Sequence, residues 1–453
     1  MINTHIIRKI SGVRIMAAAV LLTAAALLLG GCSAVKKSPV GRSKTADSIR
    51  ASLAERRNEP AKTEAGEENT ALSAGLGNRN RSAGVEESVS GNTTKDGDPE
   101  GTKLTLWTFN EAHVAYYRKL LKKWNDEDPD YTLEITFRVM PYEELHESLL
   151  EALRSGKGAP DICDIDAYRF ADVSEGKSEW LYPVDVAVAP YIYDMHPARI
   201  DVYKAGDNRR YAVPFRMGAA VQYWNMELME EAGITQKEVD AVKTWEDYRA
   251  LGEKFKASAG SGKYFAAVKA DDPVWPMLAL AEYSGTPENA GHAADDMKAA
   301  CQGWISSGIA KESGDMVSDI ASGNIASFTG SLAFMDTFVQ EIHDQYGKWY
   351  ITKCPVFEDG QPCSVCLDDI PTVISAKSRY AGLAADFICY AKMYNDNARA
   401  VIWPELSYDV CNRVLWENEE FAHDETNEYD TFFRNYPYDV LNEIKDRIAT
   451  VKP

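Results

Sequence analysis

The chain reads as an α/β protein in which a leader and a polar spacer precede a folded module of two lobes. Three observations predict this. From Leu104 onward the apolar positions alternate between strand and helix periods, the pattern of a parallel sheet with crossover helices. No Phe, Trp or Tyr occurs before Trp107, so the residues able to build a large core all follow that point. From Lys103 to Pro453 there are about 350 residues, more than one ordinary core organises and enough for two.

The leader is residues 1–31. Arg8, Lys9 and Arg14 precede or open an apolar stretch, Ile15 to Leu29, that closes on Gly30-Gly31-Cys32. A charged start, a short apolar core and small residues before a cut describe an export signal. The stretch is too short and Ala-rich for a comfortable membrane span, which needs ~20 apolar residues. Leu29-Gly30-Gly31-Cys32 resembles the lipobox of bacterial lipoproteins. That resemblance implies cleavage before Cys32, its diacylation (palmitate or a similar acyl chain), and a lipid-anchored protein on the extracytoplasmic face of the cell membrane. An uncleaved anchor and a soluble secreted form are the rival readings. All of them place the module outside the cytoplasm.

Residues 32–102 read as a disordered tether. Ser33 to Thr102 is Ser, Ala, Gly, Glu and Asn, with eleven basic and eleven acidic side chains. Such a composition buries too little apolar surface to offset the entropy of ordering it. A flexible chain of this length spans roughly 45 Å root-mean-square. A passive spacer across a cell wall predicts the same sequence.

The module then alternates. Leu104 to Phe109 reads as a buried strand, and His113 to Asn125 as a helix with Tyr116, Tyr117, Leu120, Leu121 and Trp124 at core spacing. Asp128-Pro129-Asp130 stops it. Leu133 to Phe137 is a second strand and Tyr142 to Ser155 a second amphipathic helix. Gly156 to Pro160 turns the chain into a third strand, Asp161 to Asp166. In open sheets of this kind ligands bind beyond the carboxyl ends of the strands. That places Phe109, Asn110 and Glu111 after the first strand, and Asp164 and Asp166 at the end of the third.

Charge and cysteines exclude several functions. The module carries 35 basic against 58 acidic residues, about −23, which argues against nucleic acid, phosphate or a polyanion as ligand. Besides Cys32 there are seven cysteines, Cys163, Cys301, Cys354, Cys363, Cys366, Cys389 and Cys411, and an odd count leaves at least one thiol free. Cys363-Ser364-Val365-Cys366 has redox spacing but opens no obvious helix, and no second pair completes a zinc site. No cofactor or metal is expected.

Several stretches in order resemble the family 1 extracellular solute-binding proteins of bacterial ABC importers, the maltose-binding type. They are Lys103 to Trp107, Ala159-Pro160-Asp161-Ile162 through Arg169-Phe170, and Tyr211-Ala212-Val213-Pro214-Phe215 leading to Tyr223-Trp224-Asn225. Ala232-Gly233-Ile234 with Thr244 to Tyr248 follows, then Ser322 to Ala326 through Gly330-Ser331. The likeness runs from about Lys103 to about Tyr394. It implies a two-lobe periplasmic-binding-protein fold of type II, with a ligand cleft between lobes joined by hinge strands. Carried over, lobe 1 is approximately 103–217 and 362–404, and lobe 2 approximately 223–353 with 405–453 assigned to it provisionally. It also implies a monomer that binds a carbohydrate, an oligosaccharide in particular, and delivers it to the permease subunits without chemistry of its own.

Matching family positions at the cleft are Trp107, Phe109, Asn110, Glu111, Asp164, Asp166, Arg216 and Trp275, with Gly330 and Ser331 from the other lobe and Asp368 on position alone. Each has a plainer reading. Trp107, Phe109 and Trp275 suit a core as well as a sugar platform. Asp164 and Asp166 also read as a capping, solvated or metal-binding pair, and Arg216 as one half of an interlobe ion pair. Two lost stacking positions point away from maltose: Leu332 follows Ser331, and Ile165 stands where relatives place a Trp; in addition a usually glycine-rich loop reads Cys363 to Cys366. Trp403 and Trp416 are candidate replacement rings. The alternatives are the same fold binding a polyamine or peptide, a surface adhesin or sensor without a transporter, and a lipid-anchored glycosidase. The last has no well-separated carboxylate pair, no Gly-x-Ser-x-Gly elbow, and no second His after His146-Glu147.

Overall fold

The computed structural model describes residues 93–176, 179–283 and 287–452. The leader, Cys32 and most of the tether lie outside the described residues. The first lobe opens with strands β1 (Thr93–Gly97) and β2 (Thr102–Thr108), helix α1 (Glu111–Glu127), β3 (Leu133–Val139), helix α2 (Tyr142–Ser155) and β4 (Ile162–Asp164). β5 (Ala212–Val213) ends this half. β2 runs parallel to β3 on one side and β4 on the other, as the alternation requires. Leu104, Leu106 and Thr108 of β2 are buried against α1, whose Val114, Tyr117, Leu121 and Trp124 face inward. Gly156 caps α2 in the left-handed region, at φ 65°, with its N–H on the last-turn carbonyls.

Residues 93–102, read from the sequence as the end of the tether, lie instead in the first lobe. β1 pairs antiparallel with the outer edge of β3, and all five of its residues are exposed. The chain then crosses the start of β3 to reach β2 on its far side. Gly97 and Gly101 allow this crossing, because a Cβ at either would collide with the backbone of Thr132 or Leu133.

The second lobe is built on β6 (Ala220–Asn225), β7 (Tyr264–Val268), β8 (Ala310–Glu312), β9 (Ile325–Ser331) and β10 (Trp349–Thr352). The chain returns through β11 (Ser364–Val365) and β12 (Thr372–Ile374), and closes on β13 (Ile448–Ala449). The sheets are ordered β1-β3-β2-β4-β12-β5 and β10-β6-β9-β7-β8, and β11 pairs with β13. Trp224, Tyr248, Trp245, Trp304 and Phe265 pack on one face of the second sheet.

Residues 217–219 and 366–368 cross between the sheets side by side. Leu367 N donates to Gly218 O at 2.7 Å, and Ala219 bridges Cys366. Gly218 sits at φ 55°, and a Cβ there would strike the Asp368 carbonyl oxygen. The buried Arg199 holds both strands: Nη2 donates to Met217 O at 2.6 Å and to Asp368 O at 3.2 Å.

The segment after Pro404 belongs to neither lobe alone. Its Cys411 O accepts from His196 N at 2.9 Å in the first lobe, while Arg434 N donates to Trp349 O at 2.8 Å in the second. Tyr408, Trp416, Phe432 and Tyr438 share one core with Leu104 and Ile135 of the first lobe and Tyr223 and Trp349 of the second. The assignment of 405–453 to lobe 2 is therefore corrected to a bridge. The seven described cysteines are buried thiols, Cys363 and Cys366 included, so the redox spacing presents no accessible thiol. Among the described residues no helix is long and apolar enough to cross a membrane, and no group of three or more His, Cys, Asp or Glu is placed to hold a metal.

Candidate functional site

The carboxyl ends of β2 and β3 meet the start of α2. Phe109, half-buried, meets Tyr142 edge-on with centroids 5.3 Å apart and His146 at 5.5 Å. The His146 ring is fixed from both sides. It shares a 2.7 Å bond between Nδ1 and Tyr142 O, and its Nε2 accepts from Asp166 N at 3.0 Å. Burial pushes its pKa down to about 4, so it is neutral at pH 7. Asn110 is the N-cap of α1, with Oδ1 accepting from Ala112 N at 3.0 Å, and Glu111 in the first turn is exposed.

Asp164 and Asp166 part company. β4 stops at Asp164, and Asp166 instead caps the short turn Ala167–Arg169, its Oδ1 accepting from Tyr168 N at 2.8 Å. Asp166 remains partly exposed and lies near the Tyr142 hydroxyl. Burial, and then the Asp368 charge, raise its pKa to about 6. Asp164 is fully buried. Its Oδ1 accepts from Tyr117 at 2.8 Å and Thr372 at 2.5 Å, and its Oδ2 lies 2.8 Å from His113 Nδ1. Burial alone would raise its pKa, yet Lys392 at 3.6 Å and His113 hold it well below the usual carboxylate range. Asp164 is thus a structural anion, and its expected cleft contact is corrected: both of its oxygens are engaged behind the sheet.

Arg216 stands at the floor between the lobes. Its Nε donates to Asp409 at 3.2 Å, its Nη1 to Asp336 at 3.1 Å on the second lobe, and its guanidinium lies 4.3 Å from the Tyr408 ring centroid. The interlobe ion-pair reading of Arg216 is the one the geometry gives. Burial raises the pKa of Asp336 to about 6 against the pull of Arg216, with the Asp409 and Asp368 charges adding to the rise. Asp368 is partly exposed and within electrostatic reach of Asp166, Asp336 and Arg216. Gly330 is the one partly exposed residue of β9. The Ser331 hydroxyl caps the next turn, 3.1 Å from Ala333 N, and its carbonyl accepts from Tyr223 at 2.9 Å.

Of the two proposed tryptophan platforms, one is core. Trp107 is half-buried like Phe109, packed against the same cluster of Leu145, Leu149 and Phe170, with the Arg138 guanidinium 5.2 Å from its ring centroid. Trp275 is buried among Trp245 and Trp304, with Nε1 donating to Lys269 O at 2.9 Å. Trp403 and Trp416 are also buried and replace neither. Sequence reasoning missed Tyr142, Asp336 and Tyr408. Tyr142 opens a helix right after a strand end, and Asp336 stands five residues after Ser331, so both had a positional signal. Tyr408 had none, because the tail that carries it is placed by tertiary packing.

Comparison with known proteins bears on this cleft. The family of bacterial extracellular solute-binding proteins matches residues 110–392, more than half of the chain. An arabinooligosaccharide-binding protein of Halalkalibacterium halodurans is 29% identical over 371 residues, 78% of this chain and 81% of that protein. Another arabinooligosaccharide-binding protein, from Bacillus subtilis, is 26% identical over 371 residues, 77% of this chain and 82% of its own. Among solved structures, the sugar-binding protein MalE of Xanthomonas citri matches with a TM-score of 0.58 at 16% identity, over 77% of this chain and 86% of that one. That likeness establishes the type II periplasmic-binding-protein fold.

Proposed function

The chain belongs to the bacterial extracellular solute-binding proteins, and from that membership we propose that it binds an arabino-oligosaccharide between its lobes and passes it unchanged to the permease of an ABC importer. The observation that carries the carbohydrate is the meeting of the Phe109 and Tyr142 rings with Asn110, Glu111 and Asp166 at one strand edge. Rings pack on the C–H faces of a sugar, while amides and carboxylates bond its hydroxyls, and such networks discriminate because a buried hydroxyl left unpaired costs ~1–3 kcal/mol. The arabinose comes from the two relatives that align with most of the chain. Phe109, Asn110, Glu111, Asp166, Gly330 and Asp368 form the binding surface, and the lobes close on it by hinge motion. The protein works as a monomer, held at the extracytoplasmic face by a lipid on Cys32.

The test is a melting series of the purified protein with arabinobiose, arabinotriose, maltotriose and spermidine. Saturation at one hundred times the dissociation constant adds about 2.7 kcal/mol, so a shift with the arabino-oligosaccharides alone is expected. Glu111→Ala and Asp166→Ala each weaken binding about tenfold without unfolding the apo protein. A shift with spermidine alone would overturn the sugar. Separately, Cys32→Ser moves the protein from the membrane fraction to the medium or periplasm; retention in the membrane defeats the anchor.

A further inference from the structure

Asn110 stands at the mouth of a hydrogen-bond chain that runs back into the first lobe. Its amide orientation follows from the helix it caps: Ala112 N needs an acceptor, so Oδ1 faces the helix at 3.0 Å and Nδ2 faces away. Nδ2 lies 3.1 Å from the Tyr408 hydroxyl and donates one of its two hydrogens there. Tyr408 Oη is also 3.0 Å from His113 Nε2, and His113 Nδ1 is 2.8 Å from Asp164 Oδ2. Asp164 accepts only, so Nδ1 carries the hydrogen and Nε2 is left to accept from Tyr408. Every hydrogen in the chain then has one place. Burial lowers the pKa of His113, and Lys392 keeps Asp164 ionised, consistent with a neutral ring donating to a carboxylate.

We propose that the buried relay Asp164–His113–Tyr408 locks the Asn110 amide so that its Nδ2 is held toward the ligand as a hydrogen-bond donor. The proposal rests on the cleft reading above. The second Nδ2 hydrogen has no acceptor among the described residues, and Asn110 is partly exposed. The group it selects is an oxygen with a free lone pair: a ring or glycosidic oxygen, or a hydroxyl whose own hydrogen is bonded elsewhere. Tyr408 is a positioning residue. Its hydroxyl orients Asn110, and its ring lies under Arg216, 4.3 Å from the guanidinium.

The experiment measures arabinotriose affinity of the full chain by calorimetry between pH 5 and 8. Asn110→Asp keeps the cap acceptor but replaces the donor by a carboxylate. It loses at least tenfold relative to wild type across this range, because a carboxylate at a helix N-cap stays ionised above pH 5. Asn110→Ala loses as much at every pH. The reading is the ratio of variant to wild type, because Asp166 and Asp336 titrate near 6 in both. Glu111 beside Asn110, and His113, Asp164 and Arg216 around Tyr408, are likewise common to both. Tyr408→Phe keeps the ring under Arg216, loses three- to tenfold, and adds nothing to Asn110→Ala in a double-mutant cycle. Asn110→Asp within twofold of wild type, or additive losses with Tyr408→Phe, overturns the relay while leaving sugar binding intact. No arabinotriose binding by the wild type overturns the arabino-oligosaccharide reading and the donor assignment with it.

Discussion

Buried carboxylates in this protein are distinguished by what faces them. Asp164 meets a lysine, a histidine and two hydroxyls and stays ionised. Asp430, equally buried, has Asp424 N on Oδ2 at 3.2 Å and no hydrogen-bond partner for Oδ1 among the described residues. Burial raises its pKa to about 7. Because the folded value lies above the unfolded ~3.9, its contribution to stability is full below pH 4 and lost as pH rises through 7. Asp430→Asn removes that dependence. Its stability relative to wild type should grow by about 2–3 kcal/mol between pH 5 and 8, read from urea midpoints. A difference independent of pH would show that Asp430 is already ionised in the folded state, with no raised pKa. The sequence treats Asp164 and Asp166 alike, two residues apart at one strand end. Lys392 and His113, which separate their fates, come from distant positions that no local pattern reveals.

At the scale of elements, glycine conformation separates a cap from a hinge. Gly156 at φ 65° ends α2 with nothing within 4 Å of where a methyl group would sit, so Gly156→Ala costs about 1 kcal/mol from the left-handed backbone. Gly218 at φ 55° carries the same strain and in addition abuts the Asp368 carbonyl. Gly218→Ala forces the crossing strands apart and is expected to cost about 3 kcal/mol or more, measured by urea denaturation. Equal losses for the two variants would mean that the crossing strands are not in close contact. Elements with a buried face were legible: α2 falls at Tyr142–Ser155, as its leucine spacing predicts. β1 was not, because an exposed edge strand is held by backbone pairing alone and its sequence, Thr-Thr-Lys-Asp-Gly, has no apolar residue to announce it.

At the scale of the whole molecule, the seven described cysteines are all buried, spread over three packed clusters. Burial raises the pKa of Cys301 to about 12, and burial raises those of Cys363 and Cys366 to about 11, so none is a reactive thiolate at neutral pH. A thiol reagent should find no reactive cysteine in the native module and all seven after unfolding without reductant. Fewer than seven would reveal a disulfide. By itself the sequence determined the α/β class, the alternation of the first lobe, the family likeness and the strand ends where a ligand site belongs. Each rests on local periodicity or on motifs read in order along the chain. Only the tertiary structure decided which aromatics are core, which carboxylate is spent on a buried lysine, and that the tail joins both lobes while bringing Tyr408 to Asn110. Those outcomes depend on residues hundreds of positions apart meeting in a space too dry to leave a charge or a polar atom unmatched.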